Sequence, residues 1–177
     1  MPEYWDICDE NGIPTGRIHQ KGTPMNPDEY HMAVTVWILN RKGEFLLSRR
    51  VPAARHNAGF WEPTCGSALA GEDSLAAACR EVREELGLTL DPSAGTVFDR
   101  YNWPHLNGSG MVHFCVWVFR GEFSLDEVIL QPTETCDARW ADEDTIRTRI
   151  REGVFVPYSY LDKLFAFCRN LPDAFPD

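Results

Sequence analysis

Hydrophobic and polar positions along the chain follow two periods. Residues 31–39, His-Met-Ala-Val-Thr-Val-Trp-Ile-Leu, are rich in β-branched and aromatic side chains and predict a strand. Asn40-Arg41-Lys42-Gly43 turns the chain, and residues 44–50 pair back as a hairpin. Upstream, residues 4–8 read as a short strand, Asp9-Glu10-Asn11-Gly12 as a turn and residues 14–19 as the return. A Pro/Gly-rich connector follows over 22–28, and residues 53–64 read as an irregular loop. The period then becomes helical. Leu75, Ala78, Cys79, Val82 and Leu86 share one stripe of a helix over 73–86, with Gly87 as its stop. Further strands are expected at 96–101, 111–120 and 138–140. Asp142 can cap a helix running to about residue 151. A last helix, about 158–168, carries Leu161, Leu164, Phe165 and Cys168 on one stripe, and a flexible tail spans 171–177. Strands and helices mix without strict βαβ alternation. This predicts an α/β (α+β) single domain with a mixed sheet packed by helices. Residues 1–30 form its N-terminal hairpin extension and 31–170 its main body.

Composition sharpens this picture. The 177 residues suit one domain, and 44% hydrophobic with 12% aromatic residues can build a real core. The formal charge is −10, from 27 Asp+Glu against 17 Lys+Arg. That balance counts against nucleic acid or an anionic membrane as partner. It does not exclude a small phosphorylated substrate, provided a cation bridges the two. Met1-Pro2-Glu3-Tyr4 lacks the basic start of a secretory leader, and no apolar run is long enough to span a bilayer. The six cysteines are scattered with no Cys-x-x-Cys pair, so reduced thiols in a cytoplasmic protein are expected.

The acidic residues of the central helix carry the candidate chemistry. At about 100° per residue, Glu84 and Glu85 flank Glu81 on one face, beside the apolar stripe. Like charges at these spacings repel, and they lie toward the helix C-terminus, where the dipole disfavours them. A hard divalent cation with oxygen ligands is a natural counter-charge. Taken alone, three glutamates more often form a solvated acidic face.

The wider spacing changes that balance. Gly66, five residues, Glu72, seven residues, Arg80-Glu81-Val82, one residue, Glu84-Glu85, one residue and Gly87-Leu88 match every fixed position of the Nudix box. The chain is therefore identified as resembling the Nudix hydrolase family. The resemblance implies a Nudix α/β/α sandwich and cleavage of a diphosphate linked to another moiety, using Mg²⁺ or Mn²⁺. By position, Glu81, Glu84 and Glu85 resemble the family's metal-ligating carboxylates, and the Gly66 carbonyl its backbone ligand. Arg80 matches the arginine that orients a glutamate, and Glu72 the supporting acid. Metal-activated water also needs a proton acceptor, which is one of the box glutamates or the loop acid Glu134. Arg50 and Arg55, before the box, are candidate diphosphate contacts, since an arginine fork suits phosphate oxygens. Trp61 and Trp103 are expected to pack in the core rather than stack on a base. The expected partner is a small-molecule diphosphate, and a homodimer is possible.

The flanks narrow the branch. Residues 5–12, Leu46-Leu47-Ser48-Arg49-Arg50 and Phe60-Trp61-Glu62-Pro63-Thr64-Cys65-Gly66 resemble the isopentenyl-diphosphate isomerase group, with Cys65 at the position of its catalytic cysteine. That enzyme's metal-binding histidine is replaced by Ser67, and residues 113–117 contain no acid. Allylic isomerisation needs proton delivery and removal on opposite faces. Hydrolysis is thus the leading expectation. An isomerase-like enzyme and a non-catalytic diphosphate sensor are the alternatives.

Overall fold

The computed structural model describes residues 2–54, 56–106 and 108–171. In chain order these form β1 (Tyr4–Cys8), β2 (Pro14–Gln20), β3 (Tyr30–Leu39), β4 (Phe45–Arg50), β5 (Trp61–Glu62), β6 (Thr64–Ser67), α1 (Ser74–Leu86), β7 (Gly95–Pro104), β8 (Met111–Arg120), β9 (Thr135–Ala141), α2 (Glu143–Arg151) and α3 (Leu161–Asn170).

Strand β3 is the hub. One of its edges pairs in parallel with β8 over its whole length, from Tyr30 opposite Met111 to Leu39 opposite Arg120. Its other edge is shared. Cys8 of β1 meets Tyr30, β6 pairs with residues 33–36, and β4 takes Ile38 and Leu39. Strand β7 adds antiparallel to β8, while β4 swings away from β3 to pair with β9 and β5. The sheet is therefore mixed and strongly curled.

Alternation along β3 and β8 builds two cores. Val34, Val36, Ile38, Cys115, Trp117 and Phe119 pack against Ala77, Ala78, Val82 and Leu86 of α1. Trp37, Leu39, Val116 and Val118 face Ile146 of α2 and Leu161, Leu164, Phe165 and Cys168 of α3. The result is an α/β/α sandwich. Each fully buried large apolar side chain contributes roughly 1.5–3 kcal/mol, so the period-two pattern fixes the register.

Helix α1 is delimited at both ends. Asp73 accepts from the Ala76 amide at 2.8 Å, which satisfies a donor at the helix N-terminus. Gly87 closes the other end at φ 71°, donating to the Arg83 carbonyl at 3.0 Å. A Cβ there would also collide with Ile129 of the loop before β9.

Several boundaries differ from the sequence reading. The expected irregular loop over 53–64 contains β5 and the start of β6, because pairing with β4 and β3 supplies partners that local periodicity does not show. The last helix starts at Leu161, and the rings of Tyr158 and Tyr160 pack against the second core. Trp61 is buried as expected, beneath the guanidinium of Arg149 at 4.3 Å. Trp103 is not; it is 58% exposed. Among the described residues no helix is long and apolar enough to cross a membrane. Of the tail, Leu171 accepts from Arg120 at 3.0 Å, and residues 172–177 lie outside the described residues.

Candidate functional site

The site is organised by Arg80, which projects from α1 toward the loop joining β6 to the helix. Its Nε and Nη2 donate to the two oxygens of Glu72 at 2.8 and 3.0 Å, a bidentate fork. Nη2 also donates to the Ser67 carbonyl at 2.9 Å. Nη1 lies 2.8 Å from Glu84 and 3.0 Å from Glu81. Glu72 in turn accepts from the Leu69 amide at 2.9 Å. One guanidinium thus ties three carboxylates to the loop. Partial burial opposes its charge, but hydrogen bonding to Glu72 and the charges of Glu81, Glu72 and Glu84 more than compensate, so Arg80 stays protonated.

Glu81 and Glu85 lie on the inner side of this cluster. The Glu81 carboxylate lies directly against Gly66 of β6, where a Cβ would overlap it. Burial pushes the Glu81 carboxyl up to about 7 against the pull of Arg80, and Glu84 and Glu134 raise it further. Glu85 is 3% exposed. Burial pushes its carboxyl well up, with help from Glu81, Glu62 and Glu134, while Arg50 pulls the other way. Burial raises both carboxyls, and the charge of Glu81 raises Glu85 further, which marks a point of excess negative potential.

The helix end fixes the loop carrying Glu134. Thr135 Oγ1 and the Gln131 amide both donate to the Glu85 carbonyl, at 3.0 and 3.1 Å. Glu134 is exposed in this turn, close enough for its charge to act on Glu81 and Glu85. On the opposite side, Arg50 at the end of β4 pairs with Glu62 of β5 at 2.9 Å. Arg55 lies outside the described residues. Cys65 precedes Gly66. Its thiol contacts the Tyr158 hydroxyl and the Pro63 carbonyl, each at 3.4 Å. Burial first, then Glu62, pushes that thiol well above its ordinary value.

The sequence-predicted residues Gly66, Glu72, Arg80, Glu81, Glu84 and Glu85 are therefore contiguous, with Glu134 and Arg50 at the margins. Glu62 was missed. Its one trace in the sequence is an acid lodged between Trp61 and Pro63 in an otherwise apolar approach to the box. Among the described residues, no three His, Cys, Asp or Glu side chains converge closely enough to grip a cation as they stand. Arg80 engages Glu72, Glu84 and part of Glu81. The donor set still fits a hard divalent ion. It offers only carboxylate and carbonyl oxygens, and among the described residues no cation is paired with Glu85 as Arg50 is with Glu62.

Comparison with known proteins bears on this arrangement. The NUDIX domain model matches residues 29–161. An uncharacterized Nudix hydrolase of Listeria monocytogenes is 34% identical over 164 residues, spanning 92% of this chain and 94% of that protein. An isopentenyl-diphosphate Delta-isomerase of Streptomyces griseus is 39% identical over 110 residues, or 60% of this chain and 54% of that enzyme. Among solved structures, DR0079 from Deinococcus radiodurans superposes with a TM-score of 0.69 at 21% identity, covering 94% of this chain and 99% of that one. A MutT protein from Methanosarcina mazei Go1 gives 0.63 at 26% identity, covering 84% and 100%.

Proposed function

The chain belongs to the Nudix hydrolase family, and from that premise we propose that it is a divalent-metal-dependent hydrolase cleaving the diphosphate linkage of a small organic or nucleotide substrate. One observation carries the reading: Glu81, Glu84 and Glu85 share one face of α1, Glu81 lies against Gly66, and the carboxyls of half-buried Glu81 and buried Glu85 are raised by burial. The family generally uses divalent metal ions, and Mg²⁺ or Mn²⁺ is the ion proposed here. Glu81, Glu84, Glu85 and the Gly66 carbonyl would hold it. When bound, such an ion neutralises the diphosphate and lowers the pKa of attacking water.

The chain's own residues do the rest. Arg80 and Glu72 hold the β6–α1 loop and orient Glu81 and Glu84. Arg50 offers a guanidinium to the diphosphate oxygens from the β4 side. The water's proton goes to one of two acids, Glu81 or the exposed Glu134, which sits across the cluster. An oxygen-only site flanked by arginines supports phosphoryl chemistry, in which positioning and charge stabilisation supply most of the acceleration.

The similarity to isopentenyl-diphosphate isomerases favours a second reading, through Cys65. The chain spans about half the length of the Streptomyces griseus enzyme. The raised, hydrogen-bonded Cys65 thiol supports a neutral structural role over a reactive one. Residues 113–117 supply no second acid. The deciding experiment incubates purified protein with Mg²⁺ or Mn²⁺ and a diphosphate panel that includes isopentenyl diphosphate, with products identified by mass. Metal-dependent monophosphate products are expected. Dimethylallyl diphosphate would instead establish isomerisation, and binding without turnover across the panel would establish a sensor.

A further inference from the structure

Glu62 is a buried acid outside the box. It lies on β5 opposite Ser48 of β4 and is 5% exposed. Its Oε1 accepts from Arg50 Nη1 at 2.9 Å, and Arg50 Nε donates to the His56 carbonyl at 2.9 Å. Two sides of the guanidinium are therefore held, one by β5 and one by the turn before it. The strand beneath is fixed too, since the Arg50 amide donates to the Phe60 carbonyl at 3.0 Å. Arg50 and Glu85 also act on one another through their charges. The charges of two buried carboxylates thus act on one cation, which is hydrogen-bonded to only one of them.

This asymmetry has a consequence. Without Glu62, the remaining buried carboxylate whose charge acts on Arg50 is Glu85, and a direct pair would consume the charge of a proposed metal ligand. An unanchored arginine would also lose more side-chain freedom on meeting a phosphate. We propose that Glu62 is the positioning residue for the diphosphate-binding arginine: it holds the Arg50 guanidinium away from Glu85 and fixes it so that Nη2 meets a substrate phosphate oxygen. The inference rests on the hydrolase reading for the identity of the ligand, but the anchoring itself is measurable without turnover.

The test has two arms. In the first, wild-type protein labelled with ¹⁵N-arginine is examined by NMR at low temperature. An anchored Arg50 gives separate Nη signals from slow rotation, and Glu62→Gln merges them. In the second, calorimetry measures binding of methylenediphosphonate with Mg²⁺. Glu62→Gln is expected to weaken it roughly tenfold, the size of one lost charge-assisted hydrogen bond, with Glu62→Asp recovering part of the loss and the melting temperature of Glu62→Asp close to wild type. With an active substrate, the loss appears in KM while kcat stays within about threefold. Freely rotating Arg50 in the wild type overturns the proposal even if Glu62→Gln does not fold. So does a folded Glu62→Gln protein that binds the diphosphonate as tightly as wild type. Failure of the hydrolase reading would show separately, as wild-type protein that turns over nothing on the diphosphate panel while the NMR signature persists.

Discussion

The Glu81 carboxylate rests against the Cα of Gly66, in space that any other residue would fill with its side chain. The contact joins α1 to β6. It also explains why glycine is needed at a position without positive φ: the requirement is room, not backbone freedom.

Gly66→Ala should therefore move Glu81 rather than unfold the protein. A displacement of about 1 Å at a reacting centre costs on the order of 100-fold in rate. We expect kcat/KM to fall by about that factor and half-activation to need more Mg²⁺. Metal titration of the activity checks this. Unchanged Mg²⁺ dependence would mean that Glu81 does not serve the metal.

Removing Arg80 should act mainly on stability. Its side chain is 14% exposed and pairs with Glu72, Glu81 and Glu84 at once. Arg80→Ala leaves those acids facing one another, and breaking a buried pair costs about 3 kcal/mol or more. Thermal unfolding should show a clear loss in chelator, part of which Mg²⁺ restores. Arg80→Lys keeps the charge but loses the fork to Glu72, and should fall between.

Glu85→Gln should separate stability from activity. A buried carboxyl with a raised folded pKa favours folding below its unfolded pKa, and that contribution is lost as pH rises through the folded value. Glutamine carries no such loss, so the metal-free variant should match or exceed wild-type stability at pH 8. Hydrolysis should fall on the order of 10²–10³-fold, as when one preorganised electrostatic partner is removed. Melting curves and turnover on the same preparation test both halves. A stable variant with wild-type turnover would remove Glu85 from the mechanism.

How much of this was legible in the sequence differs by element. β3 and α1 were, because Val34, Val36 and Ile38 against Ala78, Val82 and Leu86 repeat locally at the periods of strand and helix. The box residues were legible because their spacing places them on one face of that helix. Strands β5 and β6 were not. They contribute two and four residues around Pro63, and β4 and β3, which pair with them, lie elsewhere in the chain. Glu62 was hidden for the same reason, since its burial and its arginine exist only once β5 lies on β4. Trp103 was misjudged because β7 lies beyond β8, away from the β3 hub, and a strand position alone does not say which side has a partner.

A last expectation concerns acid stability and lies outside the box. His31, at the start of β3, is 2% exposed, with its ring centroid 3.8 Å from that of Trp5 and 5.1 Å from that of His105. Both ring nitrogens are buried and without a hydrogen-bond partner among the described residues. Burial, then His105, His19 and Lys21, pushes its pKa down to about 3. The folded protein therefore holds His31 neutral where the unfolded chain, near 6.5, would take up a proton. Its contribution to stability is present above about pH 6.5 and is lost as pH falls toward 3, by up to about 1.4 kcal/mol per pH unit. Carboxylates with lowered pKa values, such as Glu29 and Asp142, add their own acid loss nearer pH 4, so the wild-type curve alone does not isolate the histidine. Comparison with His31→Phe does. Phenylalanine keeps the packing against Trp5 and removes both unpaired nitrogens, so the variant should match or exceed wild type at pH 7.5. The gap between them should widen as pH is lowered from 6.5 to 4.5. Denaturant unfolding at these values measures it, and parallel curves for the two proteins would mean that His31 is solvated or paired in solution.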